Sequence, residues 1–147
     1  MVGAGVLLAG VIVAGSLLGE PAFDLTTYPT DGISWLAQHD LIGPEHRVAT
    51  EDTTGNTLEI LYGTRAGTFF DDRYDMYPIE LSRDYLRVHS GQQGWESALD
   101  RHQVHYLLWS RSEPVAQLVA SSDHWRVLYQ DNRVFIACRR GSGADGC

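Results

Sequence analysis

Residues 2–19, VGAGVLLAGVIVAGSLLG, are uncharged and almost wholly apolar. As a helix this run would span about 27 Å, enough to cross a bilayer. A cleavable leader is the competing reading, but it would begin with a basic region, and Met1 runs straight into the apolar stretch. The pattern therefore predicts a transmembrane helix over residues 1–20. Gly3, Gly10 and Ala14, with Gly15 and Gly19 four apart, would let another helix backbone approach closely, so the lipid bilayer and other transmembrane helices are its expected partners. The first charges beyond it are Glu20 and Asp24, and no lysine or arginine precedes Arg47. Cytoplasmic flanks favour basic residues, which places the globular part outside the cytoplasm and the chain in the cell membrane with a single span.

After a proline-containing linker at residues 21–30, the hydrophobic period alternates between helix and strand. Asp31 can cap a short helix from Gly32 to Asp40, with Ile33, Leu36 and Ala37 on one side and Trp35 alongside; Leu41-Ile42-Gly43-Pro44 ends it. Arg47 to Thr50 reads as a first strand. Thr53 or Thr54 caps a helix through Tyr62, stopped by Gly63. Ala66 to Phe70 reads as a second strand. Helical spacing returns from Ile79 to His89 and from Trp95 to His102. Val104 to Trp109 is continuously apolar, as in a strand buried on both faces. Glu113-Pro114 opens a helix carrying Val115, Leu118 and Val119. Trp125 to Tyr129 and Arg133 to Cys138, joined through Asp131-Asn132, read as a β-hairpin.

Strands alternating with helices predict right-handed crossovers. The expected fold is a three-layer α/β sandwich with a mainly parallel sheet and a C-terminal β-hairpin over residues 31–140. Residues 141–147 form a tail expected to be mobile, and there is no internal repeat.

Composition narrows the function more than it defines it. The 147 residues carry a formal charge of -8, with every basic residue an arginine and the arginines scattered, which argues against nucleic acid. Cys138 and Cys147 lack zinc-site spacing. A bridge between them is open to an oxidising compartment, but a packed strand cysteine and a free tail cysteine are the preferred reading. No nucleophile elbow, phosphate loop or dinucleotide fingerprint occurs, so no cofactor is expected.

The candidate chemistry gathers where an apolar run breaks into charge: Phe69-Phe70-Asp71-Asp72-Arg73-Tyr74-Asp75-Met76-Tyr77-Pro78. Loops at the carboxyl ends of strands collect ligands and docking partners. Asp71, Asp72 and Asp75 could offer oxygen ligands to a divalent cation. Arg73 among them competes for the same carboxylates, so a hydrogen-bonded network that pins the loop is the preferred reading, and no metal is expected. Thr54 and Asn56, at the start of the second helix, could present amides to an anion, although such residues more often only cap. The histidines form no helical metal pair; His102 and His105 straddle a helix-to-strand boundary. Trp35, Trp95, Trp109 and Trp125 read as core before they read as a sugar platform.

Taken together, Tyr28-Pro29, Ile33 to Leu36, Thr54 to Glu59, the Phe69 to Pro78 block, Trp95 to Leu99 and Trp125 to Asp131 resemble a known arrangement. They resemble the soluble C-terminal domain of actinobacterial polytopic membrane proteins similar to GT-C glycosyltransferases, which act on lipid-linked sugars. The resemblance implies an extracytoplasmic domain following the last membrane span, without catalytic carboxylates of its own, because the family places those between early spans. It carries over Asp71, Asp72, Arg73 and Asp75 only as a block that folds the loop or docks it. The leading expectation is a non-catalytic domain that docks or helps to shape an acceptor site, with Tyr74, Tyr77, Thr54 and Asn56 in the same loops. The rivals are an anchored module that binds a glycan, a lipid-linked sugar or a small anionic ligand, and a small metal-dependent hydrolase or transferase.

Overall fold

The computed structural model describes residues 27–141 and 147. Helix α1 spans Thr30–Gln38, strand β1 Val48–Thr50, α2 Asp52–Tyr62, α3 Ile79–His89, α4 Trp95–Arg101, β2 Tyr106–Ser110, α5 Pro114–Ser121, β3 Trp125–Gln130 and β4 Val134–Arg139. One short 3₁₀ turn, Gly63–Arg65, precedes the acidic block, and another, Tyr74–Met76, lies within it. The strands form one sheet in the order β1-β2-β4-β3.

The expected mainly parallel sheet is corrected. β1 and β2 run parallel, with Ala49 opposite Leu107, but β2 pairs antiparallel with β4, and β4 antiparallel with β3. The helical crossover from β2 through α5 to β3 is present. The closing hairpin then inserts its return strand between β2 and β3 and makes two of the three pairings antiparallel. A second correction concerns Ala66 to Phe70, which is not a strand. Phe69 donates one amide bond to the Val48 carbonyl at 3.3 Å, and no ladder continues from it. The apolar character of Phe69 and Phe70 is satisfied by burial rather than by sheet pairing.

Alternating strand residues face two cores. Ala49, Leu107, Trp109, Phe135 and Ala137 pack against Tyr85 and Val88 of α3, Ala98 and Leu99 of α4, and Val115 and Val119 of α5. Val48, Tyr106, Leu108, Val134, Ile136 and Cys138 pack against Ile33 and Leu36 of α1 and Leu58 of α2. Both faces of the inner strands are therefore covered, which accounts for the unbroken apolar run through β2. Strand β3 lies at the edge, with Arg126 and Val127 exposed and an irregularity between Val127 and Tyr129, features that discourage pairing with another sheet.

Helix α2 lies close to the chain just before the acidic loop. A Cβ on Gly55 would fall 2.1 Å from the Phe70 carbonyl oxygen and 2.9 Å from Thr68, so only glycine allows this approach. Cys138 and Cys147 are bridged, against the preferred reading of two unpaired thiols, and this ties the last residue to β4. A bridge is consistent with an oxidising compartment.

No helix among the described residues is long and apolar enough to cross a membrane. The expected span, with its small-residue face, lies outside the described residues. The placement in the cell membrane as a single-span protein with an outward domain is corrected accordingly: the described structure contains no span on which it could rest.

Candidate functional site

The parallel strands β1 and β2 end side by side at Thr50 and Ser110, and the chain leaves each of them into a helix N-terminus, α2 and α5. The residues just before these helices are Glu51 and Glu113, both with extended backbones. They border a cleft of about 480 Å3, lined also by Tyr28, Thr53, Thr54, Ser110, Ser112 and Arg133. Burial, and then the nearby charge of Glu113, push the Glu51 carboxyl above its ordinary range. The His89 ring lies 3.8 Å from Glu113. The Asp52 carboxylate accepts the Thr53 amide at 2.7 Å, so the second amide of this helix is met by the chain's own carboxylate. Thr54 is buried in the wall of the cleft. Presentation of the Thr53 to Asn56 amides to an outside anion is correspondingly restricted.

Asp52 also links the cleft to the acidic loop. Its backbone amide donates to the Tyr85 hydroxyl at 3.1 Å, and the Tyr74 hydroxyl donates to its carboxylate at 2.5 Å. That hydrogen bond, followed by burial, pushes the Tyr74 hydroxyl up to about 12. Asn56 donates to Asp72 at 3.2 Å, fastening the other side of the loop to α2.

At the centre of the loop, Asp71 has no exposed side-chain surface. The Arg73 amide donates to it at 2.9 Å, Nε of Arg73 bonds both of its oxygens at 2.9 and 3.1 Å, and the Arg73 terminal nitrogen pairs with it as well. Burial alone would raise this carboxyl. The bonds from Arg73, helped by the Tyr77 hydroxyl, outweigh burial and hold it below the usual carboxylate range. Phe70 anchors the base of the loop. Its ring stacks on Tyr85 with centroids 4.1 Å apart and on Tyr77 at 4.6 Å, and meets Tyr74 edge-on at 5.1 Å.

The structure thus separates the three aspartates rather than gathering them. Asp71 turns inward to Arg73, Asp72 turns to Asn56, and Asp75 sits exposed in the 3₁₀ turn. Among the described residues no group of three or more His, Cys, Asp or Glu side chains is placed to hold a metal ion. The outer surface of the loop mixes apolar and charged groups: Tyr74, Met76 and Ile79 are 44%, 73% and 57% exposed, among exposed Asp72, Arg73, Asp75 and Glu80. Sequence reasoning missed Glu51, Asp52, Glu113, His89 and Tyr85. The adjacent Glu51-Asp52 pair, placed directly after a strand and before a capped helix, was the signal that could have found the first two.

Compared with known proteins, the chain matches no family model, no curated protein and no solved structure.

Proposed function

We propose that this is a non-catalytic docking domain whose contact surface is the loop from Asp71 to Ile79. One observation carries the reading: buried Asp71 and exposed Asp72 are engaged in holding the loop's shape, while Tyr74, Met76 and Ile79 are exposed. A docking surface benefits from this arrangement, because a loop already ordered loses less entropy on binding, and exposed aromatic and methionine side chains are typical interface anchors. Asp75 and Glu80 beside the patch suit a partner with a basic rim around an apolar recess. The resemblance of the Phe69 to Pro78 block to domains of glycosyltransferase-like proteins supports a partner of that class, with the domain attached to it or helping to shape its acceptor site. The test is the size of the complex formed by the tagged full chain in extracts of its native cells. Wild type should run in a complex, and the double variant Met76→Asp, Ile79→Asp should run free with an unchanged melting temperature. A complex that survives both changes would remove the loop from the docking surface.

The cleft beside Glu51 favours a second reading, a module for a small glycan. Its hydroxyl-bearing walls at Thr53, Thr54, Ser110 and Ser112 and its two glutamates offer donors and acceptors suited to sugar hydroxyls. Titration with a panel of oligosaccharides, followed by amide NMR, should then move Thr53, Thr54 and Ser112, and Glu51→Gln should weaken that response. Absence of shifts across the panel would leave docking alone.

A further inference from the structure

A second cleft, of about 540 Å3, lies at the opposite end of the sheet, where β1 and β2 begin and β4 ends. Arg47, Arg139, Arg140, Gln103 and His105 line it, together with Glu45 and Asp100. In a chain of net charge -8, the charges of this cleft are distributed unusually. Arg139 forms its fixed floor: it pairs with Asp100 at 2.9 Å and with Glu96 at 3.5 Å, and lies over the Trp125 ring at 5.6 Å. Asp100 is thereby engaged. Glu45 is mostly exposed and lies 3.5 Å from His46. The other two guanidiniums contact only carbonyl oxygens, Arg47 that of His102 at 3.4 Å and Arg140 that of Trp125 at 3.1 Å. Among the described residues neither pairs with a carboxylate, so both charges remain available to the cleft.

The backbone supports the same reading. Only Asp40, Arg47 and Gln103 among the described non-glycine residues have positive φ, and two of these, Arg47 at 43° and Gln103 at 54°, line this cleft. Such conformations cost energy and concentrate where a side chain must be aimed. Arg47 is held in this one because its carbonyl accepts the His105 amide at 3.1 Å, at the start of the β1–β2 pairing. The His105 ring nitrogen Nδ1 lies 3.2 Å from the Glu45 carbonyl, which can only accept, so Nδ1 carries a proton there and the ring is held at the edge of the cleft.

We infer that this cleft is a binding site for a small oxyanion of the phosphate-monoester class, held between the guanidiniums of Arg47 and Arg140 over the fixed Arg139. Guanidinium groups match phosphate oxygens in charge and in forked geometry. The site is separate from the docking loop and does not depend on it.

The test is a titration of the full chain with inorganic phosphate at about pH 8, where the anion is mainly doubly charged. Amide shifts are followed at constant ionic strength maintained with sodium chloride. The site predicts saturable shifts at Arg47, His105 and Arg140, and a dissociation constant that Arg47→Gln and Arg140→Gln each raise by about fivefold or more. Arg111→Gln, on the far end of the sheet, should leave it unchanged. Should Arg47→Gln disturb the fold, as its missing amide dispersion would show, Arg140→Gln alone decides. Shifts that fail to saturate by about 50 mM, well beyond the range of a multidentate arginine site, or that chloride reproduces, would overturn the proposal. So would shifts that persist in the double variant.

Discussion

Asp71→Ala is the substitution that bears most directly on how the loop holds its shape. The wild-type carboxylate has no exposed side-chain surface, and it accepts the Arg73 amide and the Arg73 side chain. Hydrogen bonds to a charged group contribute roughly 1.5–3 kcal/mol each when measured by deletion. Two effects reduce that figure here. Folding already bears the cost of removing Asp71 from water, and Arg73, whose side chain is 55% exposed, would recover hydration once its partner is gone. A net loss of about 2 kcal/mol follows, which for a domain of this size lowers the melting temperature by about 8 °C. The pH dependence has a definite sign. The folded carboxyl lies below its unfolded value, so its contribution is fully present above the ordinary carboxylate range and is lost as pH falls through the folded value. Thermal melts of wild type and variant, taken from neutral to acidic pH, check both points. Melting temperatures within about 2 °C at neutral pH, or a gap that widens on acidification, would refute the reasoning.

Two further predictions rest on other parts of the frame. Asp84, nearly buried on α3, accepts Arg87 at 2.7 Å, Arg101 at 2.6 and 3.1 Å and His102 at 3.0 Å, fastening α4 to α3. Asp84→Ala should cost about 2–3 kcal/mol in a denaturant titration at neutral pH, somewhat below a fully buried pair because its partners reach solvent. The bonds from Arg101 lead in holding its carboxyl low, so this difference too should vanish in acid. Reduction of the Cys138–Cys147 bridge, whose partners are 9 residues apart, should lower stability by about 2–3 kcal/mol, read as a shift between melts with and without reductant.

The parts of this fold that were readable along the chain are those set by local patterns. The 3.6-residue period located the five helices of the described residues to within a few residues, and the two β-rich runs around Asp131-Asn132 located the hairpin. Topology was not readable in that way. Nothing local to Val134–Arg139 tells that it pairs with β2 on one side and β3 on the other, because that choice depends on which sheet edge is free when the hairpin closes. Phe69 and Phe70 misled for a related reason. A short apolar run looks the same whether its burial comes from a strand ladder or, as here, from stacking on Tyr85 and Tyr77. At the candidate site the charged block was conspicuous, but its internal pairing was only partly legible. Arg73 two residues after Asp71 suggests a pair, whereas the bonds of Tyr74 to Asp52 and Asn56 to Asp72 cross 22 and 16 residues and needed the fold. The bridged cysteines show the same limit, since Cys147 meets Cys138 only because the tail returns to β4.

Docking through the Asp71 to Ile79 loop is tested most directly by placing a photo-crosslinking residue at Met76 in the full chain, expressed in its native cells, with the same residue at Val127 on the opposite sheet edge as reference. The account predicts one dominant adduct from position 76, to a glycosyltransferase-like protein, and none from position 127. No adduct from position 76, or an equal adduct from position 127, would contradict it.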